Sequence, residues 1–223
     1  MDKTLIARAV LLAPLYIIPQ LKAGFYKTYD YMLRVIEGLV RGVYNGQVGG
    51  DFVDAIAALI RGQITQAFQQ AYEDEGYTGF FPPDFLQAGI ESMIITQTNF
   101  DWIYNYYKDI VDARVDNKPI DPLLARATMW ANVYKEAYNE ALRLITLDGG
   151  GNMIWHEGDT KDKCSTCKYL DGICASAKEW EIAGFRPQGS MLQCGGFNCG
   201  CELVPTTQRR SPKALDRLLN APR

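Results

Sequence analysis

The stretch KDKCSTCKYLDG, residues 161–172, contains the first two cysteines of this 223-residue chain. They form the pair Cys164-x-x-Cys167, and further along the chain Cys199 and Cys201 form a C-x-C pair. Each short pair can supply two thiolates to a tetrahedral zinc ion, and the loop between the pairs folds back without a large core. The spacing therefore predicts a structural zinc site near the end of the chain.

The complete ligand set stays open. Cys164 and Cys167 form the first pair, and the second pair comes from Cys194, Cys199 and Cys201. The gap from Cys194 to Cys199 is usual for zinc sites, whereas C-x-C is tighter than usual. Cys174 is expected to be a spectator, and His156, the only histidine, is an outside candidate for a ligand.

Three disulfides are the main alternative, because six cysteines are an even number in a small segment. The first 163 residues contain no cysteine, however, and no convincing signal peptide, which favours a protein made and used in the cytosol. Free thiols are a second alternative. A redox C-x-x-C pair would open a helix after a strand, whereas this pair is expected in a turn-rich segment.

The rest of the chain is predicted to be helical up to about residue 150. Apolar residues recur at three- and four-residue steps in four segments. Glycine and cysteine take over after DGGGN, residues 148–152. The fold class is therefore a mainly α protein, an elongated helical bundle with a small C-terminal Cys-rich, zinc-knuckle-like module of minor β structure. The predicted domains are an N-terminal helical segment 1–50, a helical body 51–149, a zinc-binding module 150–205 and a basic tail 206–223.

Composition limits the possible functions. The chain is 48% hydrophobic and 22% charged, as in ordinary globular proteins, and its net charge of −3 argues against binding nucleic acid through overall charge. The apolar start, MDKTLIARAVLLAPLYIIP, is too short and too interrupted for a membrane span. It is predicted to dock as a helix on the protein or on a neighbouring subunit, with membrane contact or an uncleaved signal as the alternatives.

Two further segments are candidates for binding partners. The aromatic stretch NFDWIYNYYKD, residues 99–109, is predicted to be core or subunit interface, with base stacking as the alternative. The tail is locally basic and is expected to be solvated, with contact to packaged DNA or an acidic portal surface as the alternative. Its candidate residues for nucleic-acid or partner binding are Arg209, Arg210, Lys213 and Arg217.

No catalytic constellation is found in the sequence. A cysteine nucleophile needs a base, and nothing places His156 beside a particular thiol. The chain contains no H-E-x-x-H, no G-x-S-x-G and no phosphate-binding glycine loop. We therefore predict that the protein is not an enzyme, and a thiol-dependent activity is the weakest alternative.

The C-terminal third resembles a known family. In the segments WHEGDTKDKCSTCKYLDG, WEIAGFRP and LQCGGFNCGCELVP it is similar to the C-terminal module of the phage Mu F-like head morphogenesis proteins, or minor head proteins. The similarity covers residues 150–205 and is only architectural before them. It is carried by Trp155, Asp162, Cys164, Cys167, Gly172, Pro187, Cys199 and Cys201. Family members often have a histidine shortly before the closing C-x-C, where this chain has Cys194 a little further upstream.

The resemblance implies a structural protein of a tailed phage, present in few copies at or near the capsid and the portal vertex. Its expected role is in head morphogenesis, DNA packaging or ejection, with the capsid or portal protein as partner and no small-molecule substrate. The expected location is the virion, after assembly in the host cytoplasm. A zinc-dependent nucleic-acid-binding module is the alternative, although acidic residues interrupt the lysines of the cysteine segment.

Overall fold

The computed structural model describes residues 29–78, 83–158, 163–196 and 199–223. It is mainly helical with a small sheet, which confirms the predicted fold class. The apolar N-terminal segment lies outside the described residues. The elements are α1 Tyr29–Tyr44, α2 Asp51–Asp74, α3 Asp84–Gln97, α4 Phe100–Val115, α5 Asp121–Ala131, α6 Val133–Asp148, β1 Asn152–His156, α7 Ser165–Leu170, β2 Cys174–Ser176, α8 Ala177–Ala183, β3 Glu202–Thr206 and α9 Ala214–Leu219.

The chain divides into two compact units. The first comprises the described residues within 1–67 and 90–137, and the second comprises the described residues within 68–89 and 138–223. The predicted domain limits follow sequence composition and remain predictions. Among the helices that the structure describes, none combines the length and the apolar character needed to cross a bilayer.

In the first unit, α1 packs against α4 and α5. The hydroxyl of Tyr44 donates to the Lys118 carbonyl over 2.6 Å, and the buried hydroxyl of Tyr106 donates to the Leu123 carbonyl, also over 2.6 Å. Arg126 lies 4.7 Å from the centre of the Tyr106 ring. The buried hydroxyl of Tyr106 is therefore paired, as buried polar groups usually are.

The third of the four predicted helical segments begins at Asp84 and carries apolar residues on one side as far as Ile110, but the structure divides it into α3 and α4. The break lies at Thr98 and Asn99, where the Asn99 side chain accepts a hydrogen bond from the Trp102 amide and caps α4. Asparagine competes for backbone hydrogen bonds and therefore favours a helix start over a helix interior. Apolar periodicity continued through the break, which is why the sequence pattern did not reveal it.

The second unit contains a three-stranded antiparallel sheet in the order β2-β1-β3. Its buried core includes Met153 and Trp155 from the central strand and Trp180 from α8. The two tryptophan rings stack with their centres 5.7 Å apart, and the Trp180 indole N–H donates to the Met153 carbonyl over 3.1 Å. This core supports the segments that carry the cysteines.

The C-terminal segment belongs to the same core. Ala214, Leu218 and Ala221 are buried with the tryptophans, and the Thr166 hydroxyl donates to the Pro222 carbonyl over 2.8 Å. This differs from the solvated end that the sequence predicts. Apolar residues are few in this polar segment, and their pattern did not indicate that the folded unit would bury three of them.

Candidate metal centre

The five cysteines predicted as ligands lie close together in the second unit. Their thiols form two triads, Cys164–Cys167–Cys194 and Cys167–Cys199–Cys201, in each of which all sulfur atoms lie within 4.8 Å of one another. The sulfurs of Cys164 and Cys167 are 3.3 Å apart. In a tetrahedral zinc site with Zn–S bonds of about 2.3 Å, sulfurs are separated by about 3.8 Å, so this cluster could hold a metal ion.

Cys174, the expected spectator, and His156, the outside candidate, lie apart from the triads. Cys174 is buried on β2, where its amide donates to the Ser211 hydroxyl over 3.0 Å and its thiol lies 3.5 Å from the Gln208 carbonyl. His156 ends β1 opposite Glu202 and is exposed. Neither is a member of a triad among the described residues.

The C-x-x-C pair opens a helix, which differs from the turn-rich segment that the sequence predicts. Cys164 is the N-cap of α7, and its sulfur accepts a hydrogen bond from the Cys167 amide over 3.4 Å. A cap position brings backbone N–H groups toward the side chain, an arrangement that favours the thiolate. A redox pair of cysteines can use the same position. What distinguishes this cluster from an isolated dithiol is the presence of three additional thiols beside the pair.

Backbone amides also face the other thiols at the rim of the cluster. The amide of Cys194 faces the Cys164 sulfur, and the amide of Gly196 faces the sulfur of Cys194. The amides of Gln188 and Cys201 face the sulfur of Cys199. Hydrogen bonds to the charged form favour thiolates, which are the form that binds metal. The chemistry and the support of the donors therefore fit a zinc ion.

A clasp of hydrogen bonds joins the start of α7 to the residue before Cys194, beside two members of the first triad. The Gln193 side-chain oxygen accepts from the Ser165 amide over 3.1 Å and from the Ser165 hydroxyl over 2.6 Å. In return the Gln193 amide donates to the Thr166 hydroxyl over 3.1 Å. Because these residues directly follow Cys164 and directly precede Cys194, the clasp fixes the two cysteines beside each other. The sequence pattern gave no indication of this clasp, since it joins single polar residues far apart in the chain.

Two glycines permit close backbone approaches around the cysteines. A Cβ atom on Gly196, whose φ is +83°, would lie 2.1 Å from the Gln188 carbonyl oxygen. A Cβ atom on Gly158 would lie 2.2 Å from the carbonyl carbon of Gly200, between Cys199 and Cys201. No other residue fits either position without backbone movement. The glycine-rich character of this segment is therefore explained by the contacts that bring the ligand loops together.

The surroundings of the thiols shift their pKa values in different directions. Burial raises the pKa of the thiols of Cys167 and Cys194, and the hydrogen bond with the Cys201 thiol raises the pKa of Cys199. At Cys164, burial acts to raise the pKa, but hydrogen bonds from Cys167 and Cys194 together lower it to about 7. Several thiolates this close repel one another, and a bound divalent cation would remove that repulsion.

Three of the other residues that carry the family resemblance lie in the described part of the chain, in the core or in turns and loops of the second unit. Trp155 is buried in the core, Gly172 turns the chain after α7 with a φ of +71°, and Pro187 lies in the loop after α8. Asp162 lies outside the described residues. Together with the cysteines, the described members of the set lie in one unit.

Of the four basic residues predicted to bind nucleic acid or a partner, all are exposed. Arg210 is bound within the unit, because its guanidinium pairs with the largely buried carboxylate of Glu179 in α8. Arg209, Lys213 and Arg217 complete the predicted set. A basic surface in this segment would therefore be formed by the latter three residues.

Comparison with known proteins gives no relative for this chain: no protein-family model, no curated protein and no solved structure matches it.

Proposed function

We propose that the chain is a structural assembly protein, a minor head protein of a tailed phage, whose C-terminal module is stabilised by one zinc ion. The observation that supports the zinc is the cluster of five thiols in two triads around Cys167. The family assignment rests on the resemblance of residues 150–205. It implies a location in the virion, at the head or portal, after assembly in the host cytoplasm.

A structural role for the metal follows from the donor set. Four thiolates complete the coordination of zinc and leave no open position for a substrate or an activated water molecule. When bound, the zinc supplies a covalent-strength link between segments that are far apart in sequence. The residues that would hold it are Cys164 and Cys167, with two of Cys194, Cys199 and Cys201. The chain's own contribution is to bring these thiols together and to orient backbone amides toward them.

A role in assembly is supported by exposed apolar side chains on α4. Phe100 is 62% exposed, Trp102 58% and Tyr104 46%, and the rings of Phe100 and Tyr104 stack with their centres 5.6 Å apart. Tyr106 of the same stretch is buried in the first unit. Large aromatic residues are enriched at protein–protein interfaces, so the exposed side chains suit contact with a capsid or portal subunit.

Two measurements test the proposal separately. Zinc per chain is measured in the purified protein by elemental analysis, for the native chain and for a Cys164→Ser/Cys167→Ser double variant. We expect one zinc per native chain and none in the variant. Purified phage heads from cells producing this protein are then analysed by quantitative mass spectrometry. A few copies per head would support the minor head role, and absence from heads and proheads would contradict it.

Binding of DNA through the C-terminal segment is a second candidate, which the exposure of Arg209, Lys213 and Arg217 favours. Its mark is an affinity for double-stranded DNA that falls steeply with salt, because each neutralised phosphate releases counterions. Replacing these three residues by alanine should reduce the salt slope by about three. Arg210→Ala is the matched control, since Arg210 pairs with Glu179. An unchanged slope in the triple variant would exclude this surface.

A further inference from the structure

A stripe of apolar side chains runs along the whole of α4, beside the face that this helix buries. Its members follow one another at steps of three or four residues and are therefore neighbours on the helix surface. They are Phe100, Tyr104, Tyr107, Val111 and Val115. Phe100 is 62% exposed, Tyr104 46% and Val115 68%, whereas Tyr107 and Val111 are partly buried. The stripe is as long as this 16-residue helix, about 24 Å, and a continuous exposed apolar surface usually marks a contact site.

Helix α1 packs against α4, and the two helices meet at their C-terminal ends. The Tyr44 hydroxyl, at the end of α1, donates to the Lys118 carbonyl just after α4. A Cβ atom on Gly46, two residues beyond α1, would lie 2.7 Å from the Nη1 atom of Arg114, in the last turn of α4. The chain before Tyr29 therefore leaves α1 toward the opposite end of α4, where the stripe begins.

The N-terminal segment that precedes α1 has the composition and the reach to cover the stripe. Residues 4–18, TLIARAVLLAPLYII, contain a single charged side chain, that of Arg8. Residues 19–28 connect this segment to α1 and can span up to about 33 Å when extended, at about 3.3 Å per residue. That span exceeds the length of α4, so the segment can reach the stripe from the start of α1.

We propose that residues 4–18 fold back along α4 of the same chain and cover the stripe. Burial of apolar surface on both partners drives the contact. The short connection makes it intramolecular, which raises the effective concentration of the segment above that of a second copy in dilute solution. The proposed function gives this segment no position. Trp102, which helical spacing places on the other side of α4 from Phe100 and Tyr104, stays exposed for a capsid or portal subunit.

The first test is photo-crosslinking in the full-length protein. The photoreactive amino acid p-benzoylphenylalanine replaces Tyr104, whose exposure lets the variant fold, and crosslinked peptides are mapped by mass spectrometry. Chains with light and heavy isotopes are mixed in equal amounts before illumination. We expect crosslinks from position 104 to residues 4–18, each within one isotope form. The same amino acid in place of Trp102 is the matched control and should give no crosslink to this segment.

The second test is hydroxyl-radical footprinting, which leaves α4 unchanged. A Leu11→Glu/Leu12→Glu double variant makes the segment polar, and modification of Phe100 and Tyr104 should then rise severalfold above that of the native chain. Ile182→Glu makes the same kind of exchange at an exposed position of the second unit and should leave both footprints unchanged.

Two outcomes would overturn the inference. Crosslinks that join light and heavy chains would assign the stripe to a second copy of the protein. Crosslinks that avoid residues 4–18, with equal footprints of Phe100 in the native chain and the double variant, would show that the segment does not cover α4. Neither outcome depends on the zinc content of the protein, so this contact and the metal centre are tested independently.

Discussion

The two units of this protein use different means to form a stable core. In the first unit, helices α1, α4 and α5 bury apolar side chains at helical spacing. Such packing requires only apolar residues of about the right volume at the buried positions. In the second unit, the segment from β1 to α9 consists of strands of three to five residues and helices of six or seven. Elements this short are marginal in isolation, so the module depends on contacts between distant residues.

The comparison indicates where a metal ion held by the cysteines would stabilise the second unit. The second unit has its own apolar core around Trp155 and Trp180, but the loops that carry Cys164, Cys194 and Cys199 are joined mainly by hydrogen bonds and by close glycine contacts. A metal ion would add a strong link at the point where hydrophobic burial is least available. The first unit needs no such link.

Removal of zinc should produce the largest difference in stability between the two units. With a strong chelator under reducing conditions, the second unit should lose stability by more than about 5 kcal/mol, because the free energy of metal binding contributes directly to folding. The near-ultraviolet signal of the stacked tryptophans should disappear, and residues 152–221 should become sensitive to protease. The helices of the first unit should persist in the far-ultraviolet spectrum. A metal-free protein with an unchanged tryptophan signal would contradict the dependence on zinc.

A pair of glycine substitutions tests the same difference at single-residue scale. Gly196→Ala places a Cβ atom 2.1 Å from the Gln188 carbonyl oxygen at a φ of +83°, and it should destabilise the second unit by about 3 kcal/mol. Gly62→Ala, inside α2 in the first unit, has open space for a Cβ and should stabilise by about 0.5–1 kcal/mol. Thermal unfolding of both variants measures the two effects. Equal effects of the same sign would contradict the comparison.

The ion pair between Arg210 and Glu179 should make the second unit sensitive to acid. Burial acts to raise the pKa of Glu179, but hydrogen bonds from Ser176 and the pairing with Arg210 outweigh it and hold the pKa below its ordinary value. The pair therefore stabilises above the pKa of the unfolded state, and this stability is lost as the pH falls through the lower folded-state value.

Arg210→Ala should destabilise the second unit by about 1–2 kcal/mol at pH 7, a value reduced for the exposure of the arginine. It should also flatten the loss of stability below about pH 4.5. Arg209→Ala, its exposed neighbour, should change stability by less than about 0.5 kcal/mol. Chemical denaturation at several pH values checks both variants, and a similar acid response in the two would show that Arg210 has no special partner.

The smallest effect is expected in the first unit, at Glu136. Burial raises the pKa of this carboxyl to about 7, and the hydrogen bond from Gln97 only partly opposes the shift. Because the folded-state pKa lies above the unfolded one, stability is complete below about pH 4.5 and falls as the pH rises to about 7. Glu136→Gln should stabilise by about 1 kcal/mol at pH 8 and have no effect at pH 4. A gain of equal size at both pH values would argue against this carboxyl as the cause.

Much of the fold could be predicted because its signals are local. Apolar residues at steps of three and four, such as Ile56, Ile60 and Ile64, fixed the helices, and all three are buried. The division of the third segment at Asn99 was not predicted, since the cap is a single side chain within a continuous apolar pattern. The burial of Leu218 was also not predicted, because it depends on a surface formed by residues far away in the chain.

The sequence by itself determined which residues could bind a metal and that most of the chain is helical. These properties depend on residue type and short-range spacing, because a thiol is a zinc ligand wherever it lies and helical periodicity is read within a few turns. Only the tertiary structure decided that all five cysteines converge on Cys167, that Gln193 clasps Ser165, and that Arg210 pairs with Glu179. Such contacts depend on how the chain folds back on itself, and residue spacing carries no information about that.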